Sequence, residues 1–181
     1  QRICFPPPGS AREAHGFAES VAARIVAVAP GTAWAHRARG LALDTLERPA
    51  EAVAALAEAE RLDPRHPVVP FRLGVLHHRA GDLDRAVAAF RRSLATAGDQ
   101  PEVLRRAARA ALARADRAGG GSGTGDVDDA VGWLETAARS SPGGAEVWHE
   151  LGSALRRRDP AAARRPLATA VRLDPRVRAH H

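Results

Sequence analysis

His77 and His78 stand side by side in this chain, and a histidine pair is where a bound metal ion or a general base would first be sought. Adjacent helical positions diverge by about 100°, so the two rings cannot grip one ion from one face. His36, His66 and His149 have no cysteine or paired carboxylate at ligand spacing, and His180 and His181 form a polar tail. Neither a metal nor a cofactor is therefore expected. The glycine run from Gly119 to Gly125 invites a phosphate-loop reading. That chemistry needs a Lys followed by Ser or Thr opening a helix after a strand, and the chain has no Lys. The run reads instead as a flexible Gly/Ser linker. Ser10, Ser140 and Ser141 fall at expected helix ends, as caps or turns. A nucleophile needs a base and an orienting group that these serines lack. Acids mostly pair with Arg at helical spacing, as Asp82 does with Arg85. No catalytic residue is expected.

All 27 basic residues are Arg; Lys, Asn, Tyr and Met are absent and Ile occurs twice. A GC-rich bacterial genome produces that pattern through codon usage, so the net charge of +6 is weak evidence for nucleic acid. The charge is also spread evenly, with 13 Arg against 11 acids in residues 1–100 and 14 against 10 in 101–181. A solvated surface accounts for it. The lone Cys4 excludes an internal disulfide, and no apolar run approaches the roughly 20 residues that span a bilayer. The first residues lack the apolar core of a signal peptide, which leads to a cytoplasmic expectation. Gln1 in place of an initiating Met suggests a fragment or a processed chain.

The elements behind these residues repeat. Gly40, Gly74, Ala108 and Gly152 recur at steps of 34, 34 and 44, and Ala52, Ala86, Ala130 and Ala163 at 34, 44 and 33. Leu56, Phe90, Leu134 and Leu167 follow the alanines by four residues, and Pro64, Gly98, Pro142 and Pro175 close each unit eight residues later. Small, small, large and breaker at such a period is the mark of stacked helical hairpins. Residues 1–10 are an irregular lead, with Ser10 and Glu13 as a capping box for a helix over 11–28, the core of a degenerate half-repeat over 11–32. Four repeats follow at 33–66, 67–100, 101–144 and 145–177, then a tail at 178–181. Their helices pair as 33–46 with 49–62, 67–80 with 83–97, 101–117 with 127–140, and 145–158 with 160–173. The third turn is longer by ten residues, placed over 117–126. Helices that cross closely need small side chains where their backbones approach, so Gly40, Gly74 and Gly152 are expected to face Ala52, Ala86 and Ala163.

These residues resemble the tetratricopeptide repeat, Trp-x2-Leu-Gly-x2-Tyr, then Ala-x3-Phe, then Pro. The fourth unit gives Trp148, Leu151, Gly152 and Leu155 with Ala163, Leu167 and Pro175; the second gives Leu73, Gly74 and His77 with Ala86 and Phe90. In the first, His36, Arg39, Gly40 and Leu43 fall on the motif, and a register starting at Trp34 fits almost as well. The slot of His77 normally holds a large ring, so a packed histidine is expected there. The resemblance implies an all-α, right-handed α-solenoid of antiparallel hairpins that binds a peptide or helix of a partner in a concave groove. The first helices of the hairpins would line it through Arg37, Leu41 and Asp44; Phe71, Arg72, Val75 and His78; Arg105 and Arg109; and His149, Ser153 and Arg156. Arg grips carboxylates through a bidentate fork, so an acidic partner segment is expected. The family subtype that clamps a terminal carboxylate uses Lys and Asn, both absent here.

Two other readings stand beside this one. The array could be a scaffold or accessory domain of a larger protein, an enzyme included, or could self-associate through exposed stack ends. A helical repeat reading single-stranded RNA ranks last, because such arrays rely on fixed polar side chains and stacking, and the chain has no Tyr or Asn.

Overall fold

The computed structural model describes residues 16, 20–21, 24–119 and 124–176. The expected helix over 11–28 falls largely outside them, and its described stretch at 24–28 is helical. Eight further helices follow among the described residues: α1 (Ala33–Thr45), α2 (Pro49–Leu62), α3 (Val68–Arg79), α4 (Leu83–Ala97), α5 (Pro101–Ala118), α6 (Thr124–Ser140), α7 (Ala145–Arg158) and α8 (Arg164–Leu173). The described residues contain no strand, and the fold is the all-α array of helix hairpins that the repeat implies.

Local chemistry sets the boundaries. Pro49 and Pro101 open α2 and α5, where a missing amide costs nothing. Asp82 caps α4 by accepting the Arg85 amide at 3.1 Å, and its second oxygen meets the Arg85 guanidinium at 3.4 Å. Both α1 and α3 end in the same closure: the Arg48 amide donates to Leu43 O at 3.0 Å, and the Asp82 amide to His77 O at 2.9 Å. The residue inside each closure is left-handed, Gly81 at φ 76° and Glu47 at φ 57°.

Two expectations are corrected and a third is refined. The last helix begins at Arg164 rather than 160. Asp159 Oδ1 accepts the amides of Ala161 and Ala162 at 2.9 and 3.3 Å and folds 160–163 into a turn, while Pro166 has no amide to bond back to Ala162. The third turn is shorter than 117–126, because α5 runs to Ala118 and α6 starts at Thr124. The Ala, Leu and Arg of α5 are strong helix formers and carry it onward; residues 120–123 lie outside the described set. The refinement concerns what the repeat glycines face.

Residues up to Leu73 and from Gly74 onward form two compact units. In the first, a methyl added at Gly40 would lie 2.6 Å from Leu56 Cγ and 3.2 Å from the Ala52 carbonyl oxygen. In the second, one at Gly74 would lie 2.7 Å from the Phe90 ring, and one at Gly152 2.5 Å from Leu167 Cγ. The nearest neighbours of the glycines are therefore the large residues, with the expected approach to Ala52 also made at Gly40. Helical side chains lean toward the N-terminus, so a large residue covers the turn before its own Cα, where the alanine sits. The Gly40 contact also decides the register of the first repeat, and Trp34 is half-exposed. Leu56, Phe90 and Leu134 are fully buried and stabilise the fold by roughly 1.5–3 kcal/mol each.

Candidate partner-binding surface

The residues expected to face a partner lie on α1, α3, α5 and α7. In the unit up to Leu73, Arg37 bonds the His66 ring, so its guanidinium is already engaged. Leu41, Asp44 and Phe71 are partly buried. Arg72 is exposed and makes no ion pair among the described residues.

From Gly74 onward the arginines of α5 divide into two kinds. Arg105 is forked: its Nε and Nη2 donate to Glu150 at 3.0 Å each, and Nη2 also reaches Glu146 at 2.7 Å. Those hydrogen bonds, Glu150 first, outweigh its partial desolvation and raise its pKa further. Arg105 is thus a brace between α5 and α7. Arg109, one turn later, is exposed and makes no ion pair among the described residues, as does Arg156 on α7. Ser153 and His149 are partly buried.

Two cavities meet at Arg109. One of about 420 Å³ is lined by Arg105, Arg109 and Arg176 together with Glu146, Glu150 and Asp174, so its charges balance, and His149 joins the lining. The other, of about 210 Å³, lies between the end of α3 and α5. Its lining is Val75, His78, Arg79, Phe90, Arg106 and Arg109, without a carboxylate among the described residues. The two neighbouring histidines turn to different surroundings, as helical geometry requires. His77 is partly buried, and desolvation holds its pKa below the ordinary value, Asp82 opposing and Arg85 and Arg92 assisting. His78 is depressed by desolvation, then by Arg109 and Arg106. His77 thus occupies the ring slot as a packed, neutral side chain.

Sequence reasoning missed Arg79 and Arg106 beside His78, and missed Glu146 and Glu150 as partners of Arg105. A signal existed for the second: the two glutamates are four residues apart on α7, hence on one face, as Arg105 and Arg109 are on α5. No group of His, Cys, Asp and Glu among the described residues is arranged to hold a metal ion. No described helix is long and apolar enough to cross a membrane.

Comparison with known proteins places this geometry. A family model described as tetratricopeptide repeat matches residues 37–101 and 71–145. No curated protein matches the sequence. Among solved structures the chain is similar to MamA, at 14% identity and a TM-score of 0.76, with 98% of this chain and 100% of that one covered. It is similar to YrrB, described as a TPR protein with an unusual peptide-binding site, at 16% identity, a TM-score of 0.72, and 90% and 80% covered. The first TPR of Spaghetti (RPAP3), bound to the HSP90 peptide SRMEEVD, is similar at 17% identity and a TM-score of 0.58, with 69% and 91% covered. At these identities the likeness is one of fold.

Proposed function

The chain belongs to the tetratricopeptide repeat family, and from that premise we propose that it is a protein-interaction module seating a peptide or helix of a partner on the first helices of its hairpins. The segment favoured is acidic. The observation that carries this reading is Arg109: an exposed guanidinium with no ion pair among the described residues, shared by two cavities on the α3, α5 and α7 side. A guanidinium so placed can fork a carboxylate without first breaking an internal pair. Val75, His78 and His149 line those cavities with it, and Ser153 and Arg156 on α7 are further candidates; Arg37, Leu41, Asp44, Phe71 and Arg72 are the candidates of the other unit. The peptide-bound RPAP3 domain and the peptide-binding site named for YrrB support the reading by likeness of fold. It gives the chain no catalytic step of its own.

The test is capture from a host lysate with the wild-type chain and an Arg109→Glu, Arg156→Glu variant. Arg105 is left intact, because removing it strands Glu146 and Glu150. A partner held by the wild type and lost at least about tenfold, or 1.4 kcal/mol, by a variant with unchanged helicity is expected. Equal capture by both overturns the reading.

A further inference from the structure

Arg109 opens on two cavities, and their linings suit an incoming carboxylate unequally. In the larger one the newcomer would meet Glu146, Glu150 and Asp174 of the chain itself. The smaller one, about 210 Å³ between the end of α3 and α5, is lined by no described carboxylate. Its three guanidiniums are not equivalent. Arg79 is already engaged, and Arg106 meets Glu102 at 2.6 Å, which leaves Arg109 as the guanidinium in that lining without an ion pair among the described residues. A single unengaged fork matches a single carboxylate.

We infer that the smaller cavity is the subsite for one carboxylate side chain of the partner segment, and that His78 takes up a proton as that carboxylate binds. The inference rests on the proposed seating of an acidic segment on these helices; it fixes where one acid goes and how its binding depends on pH. The stem of a Glu or Asp would rest on Val75 and against Phe90, with its carboxylate in the Arg109 fork. His78 lines the same space, three residues after Val75 and so on the same face of α3. A protonated imidazole there becomes a second donor beside Arg109.

The charged groups facing His78 are Arg79 on its own helix and Arg106 and Arg109 on α5, with Glu102 paired to Arg106, while α4 contributes the uncharged Phe90. In the empty site desolvation, then Arg109 and Arg106, hold the ring below its ordinary 6.5. A carboxylate on Arg109 offsets that arginine's charge and brings an acceptor beside the imidazole, so the His78 pKa rises on binding. Because the bound form has the higher pKa, the carboxylate gains affinity as the pH falls through the bound-state value and holds the whole gain below the empty-site value. Above both values His78 is neutral in either state and contributes no pH dependence. The gain ends where the ligand's own carboxyl protonates, at about pH 4–5.

The experiment follows the His78 ring proton by NMR across pH in the intact chain, with the resonance assigned through His78→Gln. Propionate, a glutamate side chain without its backbone, replaces chloride at constant ionic strength, and propionamide is the uncharged control. Propionate should raise the His78 titration midpoint by roughly 0.5 unit, or about threefold in proton affinity. Propionamide should leave it in place. Arg109→Gln, with unchanged helicity, should raise the empty-site midpoint by itself and abolish the response to propionate. In His78→Gln, propionate affinity read from the α3 and α5 amide shifts should lose its rise between about pH 7 and 5. A midpoint that propionate does not move, an equal rise in propionamide, or a response that survives Arg109→Gln overturns the inference. Propionate that shifts α3 and α5 amides through Arg109 without moving the His78 midpoint overturns the proton coupling and leaves the acidic-segment reading standing. Partner capture indifferent to Arg109→Glu removes the reading on which the inference rests.

Discussion

Gly74 and Gly132 are both helical glycines, yet one substitution should move them in opposite directions. A methyl at Gly74 would lie 2.7 Å from two atoms of the Phe90 ring, which is only 1% exposed and has nowhere to retreat. Gly74→Ala should therefore cost about 1–3 kcal/mol through overpacking, despite the better helix propensity of Ala. Gly132 lies on the exposed face of α6 with nothing within 4 Å of an added methyl, so Gly132→Ala should gain about 0.5–1 kcal/mol. Urea midpoints followed by circular dichroism read both, and midpoints that move the same way would remove the close approach as the reason for the conserved spacing within this chain. The need for a small residue at Gly74 was legible from its recurrence at Gly40 and Gly152. That Phe90 would be its nearest neighbour was less legible, because spacing fixes which residues share a level, whereas the lean of helical side chains decides which of them come closest.

Among the elements, the ends of α1 and α3 offer a comparison built into the repeat. Both close through the same six-residue bond, and the enclosed positions, Glu47 and Gly81, are 34 residues apart. Gly81 takes φ 76° without strain, whereas Glu47 holds φ 57° against its own Cβ. A left-handed non-glycine residue costs roughly 1–2 kcal/mol, and glycine's extra freedom in the unfolded chain gives part of that back. Glu47→Gly is expected to raise the stability of the α1–α2 hairpin by about 0.5–1 kcal/mol, measured as a shift of the denaturation midpoint. A drop would mean that Glu47 contributes a contact worth more than its backbone strain. Turn dipeptides and proline positions made most helix limits readable in advance. The start of α8 was not, since Asp159 captures two amides that Pro160 alone suggested would begin a helix.

For the molecule as a whole, what an ion pair does depends on which elements it connects. From Gly74 onward, beside the local pairs of Arg85 with Asp82 and Arg106 with Glu102, several join separate hairpins: Arg91 to Asp129, Arg114 to Asp84, Arg105 to Glu146 and Glu150, Arg157 to Asp116, and Arg158 to Asp128. Arg114 also holds Asp126 inside the third hairpin, Nε donating to Oδ2 at 2.8 Å. In the unit up to Leu73, Arg48 pairs with Glu51 and Arg61 with Glu58, each three residues apart. None of the long-range pairs could be read from the sequence, which shows which charges share a helix face but not which helix comes to meet it. Exposed pairs are individually worth under about 1 kcal/mol, yet in a repeat array each seam opens locally rather than with the whole chain. The Arg114 hydrogen bond, then its charge and that of Arg91, hold the Asp126 pKa below its ordinary 3.8. A carboxylate depressed in the folded state contributes in full above its unfolded pKa and loses that contribution as the pH falls through the folded value. Acidification from neutral pH to below about 4 should therefore loosen the seams of α5 and α6 before the interior of the α1–α2 hairpin. Amide hydrogen exchange, corrected for the intrinsic effect of pH, should show protection falling further in 101–118 and 124–140 than in 33–62. Asp126→Asn should reproduce part of that loss at pH 7. Uniform loss across both units, or earlier loss in α1 and α2, would show that the carboxylate pairs decorate the array instead of fastening its hairpins to one another.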